Sequence, residues 1–130
     1  MDLGYVIIFV DDVAEAVEFY ERAFGLEREF VLEAGDFAQM ATGGTKLAFT
    51  SNELGATAVP VGYTPMDPTR PPVGVELTLV TDDVAPAFTA AVEAGATPLA
   101  EPHDTSWGQT VSYVRDHVGT LVSIASPVGS

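Results

Sequence analysis

One eight-residue pattern occurs twice in this chain, and that repetition limits the fold more than any other feature. Val10-Asp11-Asp12-Val13-Ala14-Glu15-Ala16-Val17 returns as Thr81-Asp82-Asp83-Val84-Ala85-Pro86-Ala87-Phe88, at a constant offset (82 − 11 = 71, 88 − 17 = 71). Each copy follows an apolar run, Tyr5 to Phe9 or Val75 to Val80, and precedes a helical pattern that stops near Gly25 or Gly95. A second echo, Gly44-Thr45-Lys46-Leu47-Ala48 against Gly119-Thr120-Leu121-Val122-Ser123, lies at offset 119 − 44 = 75. Two copies of one supersecondary unit are therefore expected, with function where the copies meet.

The first copy reads β-α-β-β-β. A strand over about 3–10 is apolar on both faces and sets Tyr5, Ile7 and Phe9 on one of them. Asp12 fits a helix N-cap, with Glu15 completing a capping box, and Val13, Ala16, Val17, Tyr20 and Phe24 form a stripe at helical spacing. Strands are predicted at about 28–34, 37–41 and 46–50, with turns at Gly35-Asp36 and Gly43-Gly44. Residues 51–72 carry five prolines among Gly and Thr and suit an extended linker, in which Tyr63 and Met66 either cover the core edge or flank a pocket. The second copy repeats the order: a strand at 75–80, a helix capped by Asp83 with Pro86 tolerated in its first turn, and strands near 97–101, 109–115 and 121–125. The expected organisation is one α+β domain over 1–130: module one at about 1–52, a proline-rich linker at about 53–72, and module two at about 73–128.

Composition narrows the function. With no cysteine, disulfides and thiolate metal sites are excluded. The chain starts acidic, has no stretch approaching the roughly 20 apolar residues of a membrane span, and is expected to be cytoplasmic. Five Lys and Arg face 19 Asp and Glu, so nucleic acid and anionic membranes are not expected partners. The acidity either keeps a small protein soluble or concentrates a cationic ligand.

Aligned positions nominate the site. Tyr5 and Glu76 correspond in the first strands (76 − 5 = 71), and Ala48 and Ser123 in the last strands (123 − 48 = 75). If the two sheets face each other, all four point into one concavity. A carboxylate in an otherwise apolar strand is costly unless solvated or paired. Glu76 is therefore either solvated at an edge, paired with a group such as Arg115, or turned towards a ligand. Trp107, the single tryptophan, either packs over the core edge or stacks on a planar or cationic ligand. Phe37, Met40, Phe49 and Tyr113 lie on strands expected to curve around the cleft. His103 and His117 fall in predicted turns, and a metal site from Glu101, His103 and Asp104 lacks a second cluster at ligand spacing. Neither a phosphate-loop pattern nor a Gly-x-Ser-x-Gly elbow is present.

The doubled order "strand, Asp-Asp-Val, helix, three strands" resembles the vicinal oxygen chelate superfamily, which includes glyoxalase I, extradiol dioxygenases and bleomycin-resistance proteins. The residues that carry the resemblance are Asp12, Phe19-Tyr20, Phe24-Gly25-Leu26, Ala94-Gly95-Ala96, Trp107-Gly108, Asp116 and Gly119-Thr120. The resemblance implies two βαβββ modules forming a curved-sheet cleft, often in a homodimer whose chains can exchange modules. Metal enzymes of that superfamily hold a divalent ion at positions matching Tyr5, Ala48, Glu76 and Ser123, of which only Glu76 is a conventional ligand. The resemblance therefore favours the metal-free, bleomycin-resistance-like branch. Its implication is a cofactor-free protein that sequesters a planar or cationic antibiotic or toxin, without catalytic residues. Ligand contacts are then expected from Tyr5, Phe37, Met40, Ala48, Phe49, Glu76, Trp107, Tyr113 and Ser123. The alternative is a metal-dependent lyase, isomerase or dioxygenase with a relocated metal, or with Glu76 as general base.

Overall fold

The structure, a computed structural model, describes residues 1–129. The chain divides into two compact units, Met1–Pro65 and a second beginning at Met66.

In the first unit, strand β1 (Tyr5–Val10) leads into helix α1 (Val13–Phe24), followed by β2 (Arg28–Val31), β3 (Phe37–Met40) and β4 (Lys46–Ser51). The sheet order is β1-β4-β3-β2, with β1 parallel to β4 and the other pairs antiparallel. Helix α1 starts where Asp12 accepts a hydrogen bond from the Glu15 N–H at 3.0 Å. It ends at Gly25, whose φ of +67° closes the last turn on the carbonyls of Glu21 and Tyr20. In the apolar stripe of α1, Val13, Ala16, Val17 and Tyr20 are buried and Phe24 is half-buried, and Tyr20 packs on Phe24 and Phe49, each at a centroid distance of 5.0 Å.

Helix α2 (Asn52–Ala58) departs from the extended linker that the prolines suggested. Ser51 supplies its cap by accepting from the Leu54 N–H at 3.1 Å. The prolines begin only after this helix, so the extended chain starts later than composition implied. Tyr63 returns to stack on Phe9 at 4.6 Å and to donate to Asn52 Oδ1 at 2.7 Å. It is a core-edge cover, the first of the two roles open to it.

The second unit has β5 (Glu76–Val80), α3 (Val84–Glu93), β6 (Thr97–Asp104), β7 (Thr110–Arg115) and β8 (Leu121–Ala125), in sheet order β5-β8-β7-β6. Its topology is that of the first unit, strand for strand. Asp83 stands at the N-cap of α3 but makes no side-chain cap bond. Between β7 and β8, the buried Asp116 accepts from the N–H groups of Val118 and Thr120, at 3.0 and 2.8 Å. Arg115 donates to the carbonyls of Gly119, Pro68, Arg70 and Asp67, which fastens residues 67–70 to that turn. Among the described residues no helix is long and apolar enough to cross a membrane.

Each sheet has one face under its helix and one face turned away. Residues paired across strands share a face. In the first sheet, Ile8, Phe49, Ala38 and Met40 are therefore on the α1 side, while Tyr5, Ile7, Ala48, Gln39 and Phe37 are on the other. Met40 and Phe49 are fully buried in the core beneath α1. The expectation that these two line a cleft is corrected: side chains alternate along a strand, and both have the parity of the helix-covered face.

Candidate functional site

The open face of the second sheet carries a cavity of about 450 Å³. Strand pairing sets Thr78 beside Ser123 and Ser123 beside Tyr113, and two residues back along β5 stands Glu76. Glu76, Trp107, Tyr113 and Ser123, four of the residues nominated from sequence, all line this one cavity. Thr78, His103, Thr105, Gln109, Val111, Ala125 and Val128 complete it. Thr78 could have been found from the period-two pattern starting at Glu76. His103 could not, because it was expected in an exposed turn; it is in fact on β6, within the ladder.

Glu76 is exposed and accepts a hydrogen bond from the Thr78 hydroxyl at 2.6 Å. Of the readings open to it, pairing with Arg115 is overturned, because that guanidinium is spent on backbone carbonyls. One carboxylate thus faces the cavity with lone pairs left to offer.

Trp107 is held although 62% exposed. Its indole N–H donates to Gln109 Oε1 at 2.8 Å, and Gln109 Nε2 in turn donates to the Ser126 carbonyl at 2.8 Å. The tight turn beneath it is closed by the Thr105 N–H bonded to the Gln109 carbonyl at 2.7 Å. Because the indole N–H and the Gln109 amide are already engaged, the tryptophan offers a ligand its π-face rather than a donor. Tyr113 is half-buried and Ser123 buried in the cavity floor.

The matching face of the first sheet is built differently. Tyr5 is exposed, Ala48 is fully buried beside Ile7, and half-buried Phe37 meets Phe30 at 6.0 Å. Its one polar cluster is Glu29, which accepts from the Gln39 amide and from Lys46 Nζ, the latter at 3.2 Å. Those two bonds, the Gln39 amide first, hold the Glu29 carboxyl below its ordinary range. A separate cavity of about 380 Å³ in this unit is lined by Asp11, Asp36, Glu53 and the Ser51 cap of α2.

The donor set argues against a metal centre at the positions suggested by resemblance. Ala48 has no donor atom, Ser123 brings only a hydroxyl and Tyr5 only a phenol. Among the described residues no three His, Cys, Asp or Glu side chains gather as a metal would require. In the Glu101-His103-Asp104 stretch, the imidazole bonds the Glu101 carbonyl, and the Asp104 carboxylate accepts from Thr110 at 2.8 Å.

The family model for the Glyoxalase/Bleomycin resistance protein/Dioxygenase superfamily matches residues 2–124, so the chain belongs to that superfamily. A glyoxalase-related enzyme from Fulvimarina pelagi superposes with a TM-score of 0.83 at 22% identity, over 98% of this chain and 88% of that one. TioX from Micromonospora sp. ML1 superposes at 0.72 and 22% identity, over 97% of this chain and 98% of its own. A glyoxalase/bleomycin resistance protein/dioxygenase family enzyme from Burkholderia phytofirmans PsJN gives 0.76 at 22% identity, over 97% and 98%. At such identities the likeness extends to the fold alone. No curated protein matches the chain.

Proposed function

We propose that this member of the glyoxalase/bleomycin resistance/dioxygenase superfamily is a metal-independent binding protein that captures a planar, cationic small molecule, such as an antibiotic or toxin, in the cavity of its second unit. The observation that carries the reading is the convergence of Glu76, Trp107 and Tyr113 on one open cavity of about 450 Å³. That volume lies in the range of small-molecule sites. A fixed indole face attracts a flat cation through its quadrupole, and the Glu76 carboxylate supplies the counter-charge. A net charge of −14 draws cations towards the protein from a distance. None of these groups needs to form or break a bond; the mechanism is stoichiometric capture.

Trp107 is the sole tryptophan and therefore an internal reporter. Titration with bleomycin-type antibiotics and planar cationic dyes, followed by fluorescence and calorimetry, is expected to saturate at one ligand per chain. Glu76→Gln is expected to weaken binding about tenfold or more, since a hydrogen bond to a charged group contributes about 1.5–3 kcal/mol. Flat titrations across the series, or binding untouched by both Glu76→Gln and Trp107→Ala, would overturn the proposal.

A further inference from the structure

His103 reaches the cavity because β6 is irregular. Its ladder with β7 runs Ala100 to Tyr113 and then His103 to Val111, so three steps on β6 match two on β7. One extra residue is inserted at Glu101-Pro102. In a regular strand, Ala100 and His103 would point to opposite faces. The bulge returns His103 to the face of Tyr113 and Val111, where it lines the cavity. Pro102 suits the bulge because it has no N–H to lose from the ladder. The Glu101 carbonyl, within the same bulge, accepts from His103 Nδ1 at 2.8 Å. A carbonyl only accepts, so the proton is on Nδ1, and the neutral ring keeps an acceptor lone pair at Nε2. One local distortion thus both aims the imidazole and sets its tautomer.

Glu76 and His103 mark opposite corners of the face. His103 shares a row with Val111, Ala125 and Val80, four residues along β5 from Glu76. That separation is about 13 Å along the strands, and three strand spacings add about 14 Å across them. No single ligand group can touch both. Past the His103 row, in the β6–β7 turn, Trp107 has its N–H engaged with Gln109. The Thr78 hydroxyl donates to Glu76. On Glu76 and His103 themselves the polar capacity left is acceptor capacity, while the hydroxyls of Tyr113, Ser123 and Thr105 also line the cavity.

We infer that His103 is a second anchor of this site, and that the ligand is an elongated planar molecule with an N–H donor group at each end: a cationic end on Glu76 and a donor end on His103 Nε2. This rests on the reading of the cavity as a capture site for flat cations and specifies the ligand class within it. A ligand with a single cationic end would use Glu76 and the ring platform but not His103.

Two probes separate these cases, both measured by calorimetry at pH 8. DAPI, a rigid planar dye with donor groups at both ends, is the elongated probe; benzamidine carries one amidinium and is too short to span the face. His103→Asn keeps a side-chain N–H for the Glu101 carbonyl but has no atom at the Nε2 position. His103→Gln places an amide oxygen there. The expected result is that His103→Asn weakens the dye about tenfold and leaves benzamidine unchanged, while His103→Gln recovers most of the loss. Glu76→Gln is expected to weaken both probes. If His103→Asn weakens both probes equally, or neither, while Glu76→Gln weakens both, the second anchor is refuted and the capture reading survives. If neither probe binds the unaltered protein, both fall together.

Discussion

The two units share one topology and divide its tasks. The first invests in aromatic packing: Phe19, Tyr20, Phe24 and Phe49 contact one another beneath and along α1. It also partly covers its outer face, since α2 and Tyr63 lie against Phe9. The second packs mostly smaller side chains under α3, with Val84, Ala91, Val122 and Ile124 around the single ring of Phe88. Its outer face holds a cavity edged by a carboxylate, an imidazole and an indole. A duplicated fold thus separates a copy rich in ring contacts from one whose outer face carries binding groups.

The largest expected effect tests the packing side of that contrast. Phe49 and Ile124 are equivalent by the repeat (124 − 49 = 75), and both are buried on the helix-covered faces of their sheets. Phe49→Ala should cost about 4 kcal/mol, because it empties a ring-sized space that Tyr20 cannot fill. Ile124→Val removes one methylene and should cost about 1 kcal/mol. Chemical denaturation of both variants checks this. A Phe49→Ala cost under about 2 kcal/mol would show that the aromatic cluster does not hold the first unit.

The module plan was legible in the sequence because its signals are local: the cap at Asp12, the stop at Gly25 and the apolar periods each act within a few residues. The 71-residue offset then transferred one reading to the other copy, as 76 − 5 = 71 led from Tyr5 to Glu76. Glu76 and Ser123 were reachable through the repeat offsets, Trp107 as the single tryptophan and Tyr113 from its strand; all four line the one cavity. Met40 and Phe49 were misplaced because apolar strands show no alternation from which the buried face could be told. His103 was missed because the strand was expected to end near residue 101, and the bulge that carries β6 on to Asp104 and aims His103 depends on the partner strand. Helix α2 was hidden by the proline-rich composition downstream of it.

A smaller effect tests how the first unit covers its outer face. Gly55 lies in α2 against Phe9 and Tyr63. A Cβ there would come within 2.7 Å of the Phe9 ring and would also meet the Tyr63 hydroxyl. In an open helix, Gly→Ala stabilises by up to about 1 kcal/mol. Here the sign should reverse, with Gly55→Ala costing about 1–3 kcal/mol as Tyr63 is pushed from its stack. Pairing it with Tyr63→Ala should remove most of that cost, since the hydroxyl is then gone and the Phe9 ring can shift into the space the tyrosine leaves. A stabilised single variant would mean that α2 does not pack on the sheet as described.

The finest difference between the copies lies at their helix starts. Asp12 accepts from the N–H of Glu15, three residues on. Asp83 occupies the same place before α3, yet its third residue is Pro86, which has no N–H to give. The same aspartate therefore caps one helix and not the other, and a single proline accounts for the difference. Asp12→Ala should cost about 1 kcal/mol, while Asp83→Ala should change stability by no more than a few tenths. Pro86→Ala restores the missing donor, and in that background Asp83→Ala should again cost about 1 kcal/mol. Thermal denaturation of the four variants, read as a double-mutant cycle between positions 83 and 86, measures this coupling directly. An Asp83→Ala cost as large as that of Asp12→Ala with Pro86 still in place would mean that Asp83 supports the second unit by some route other than its helix.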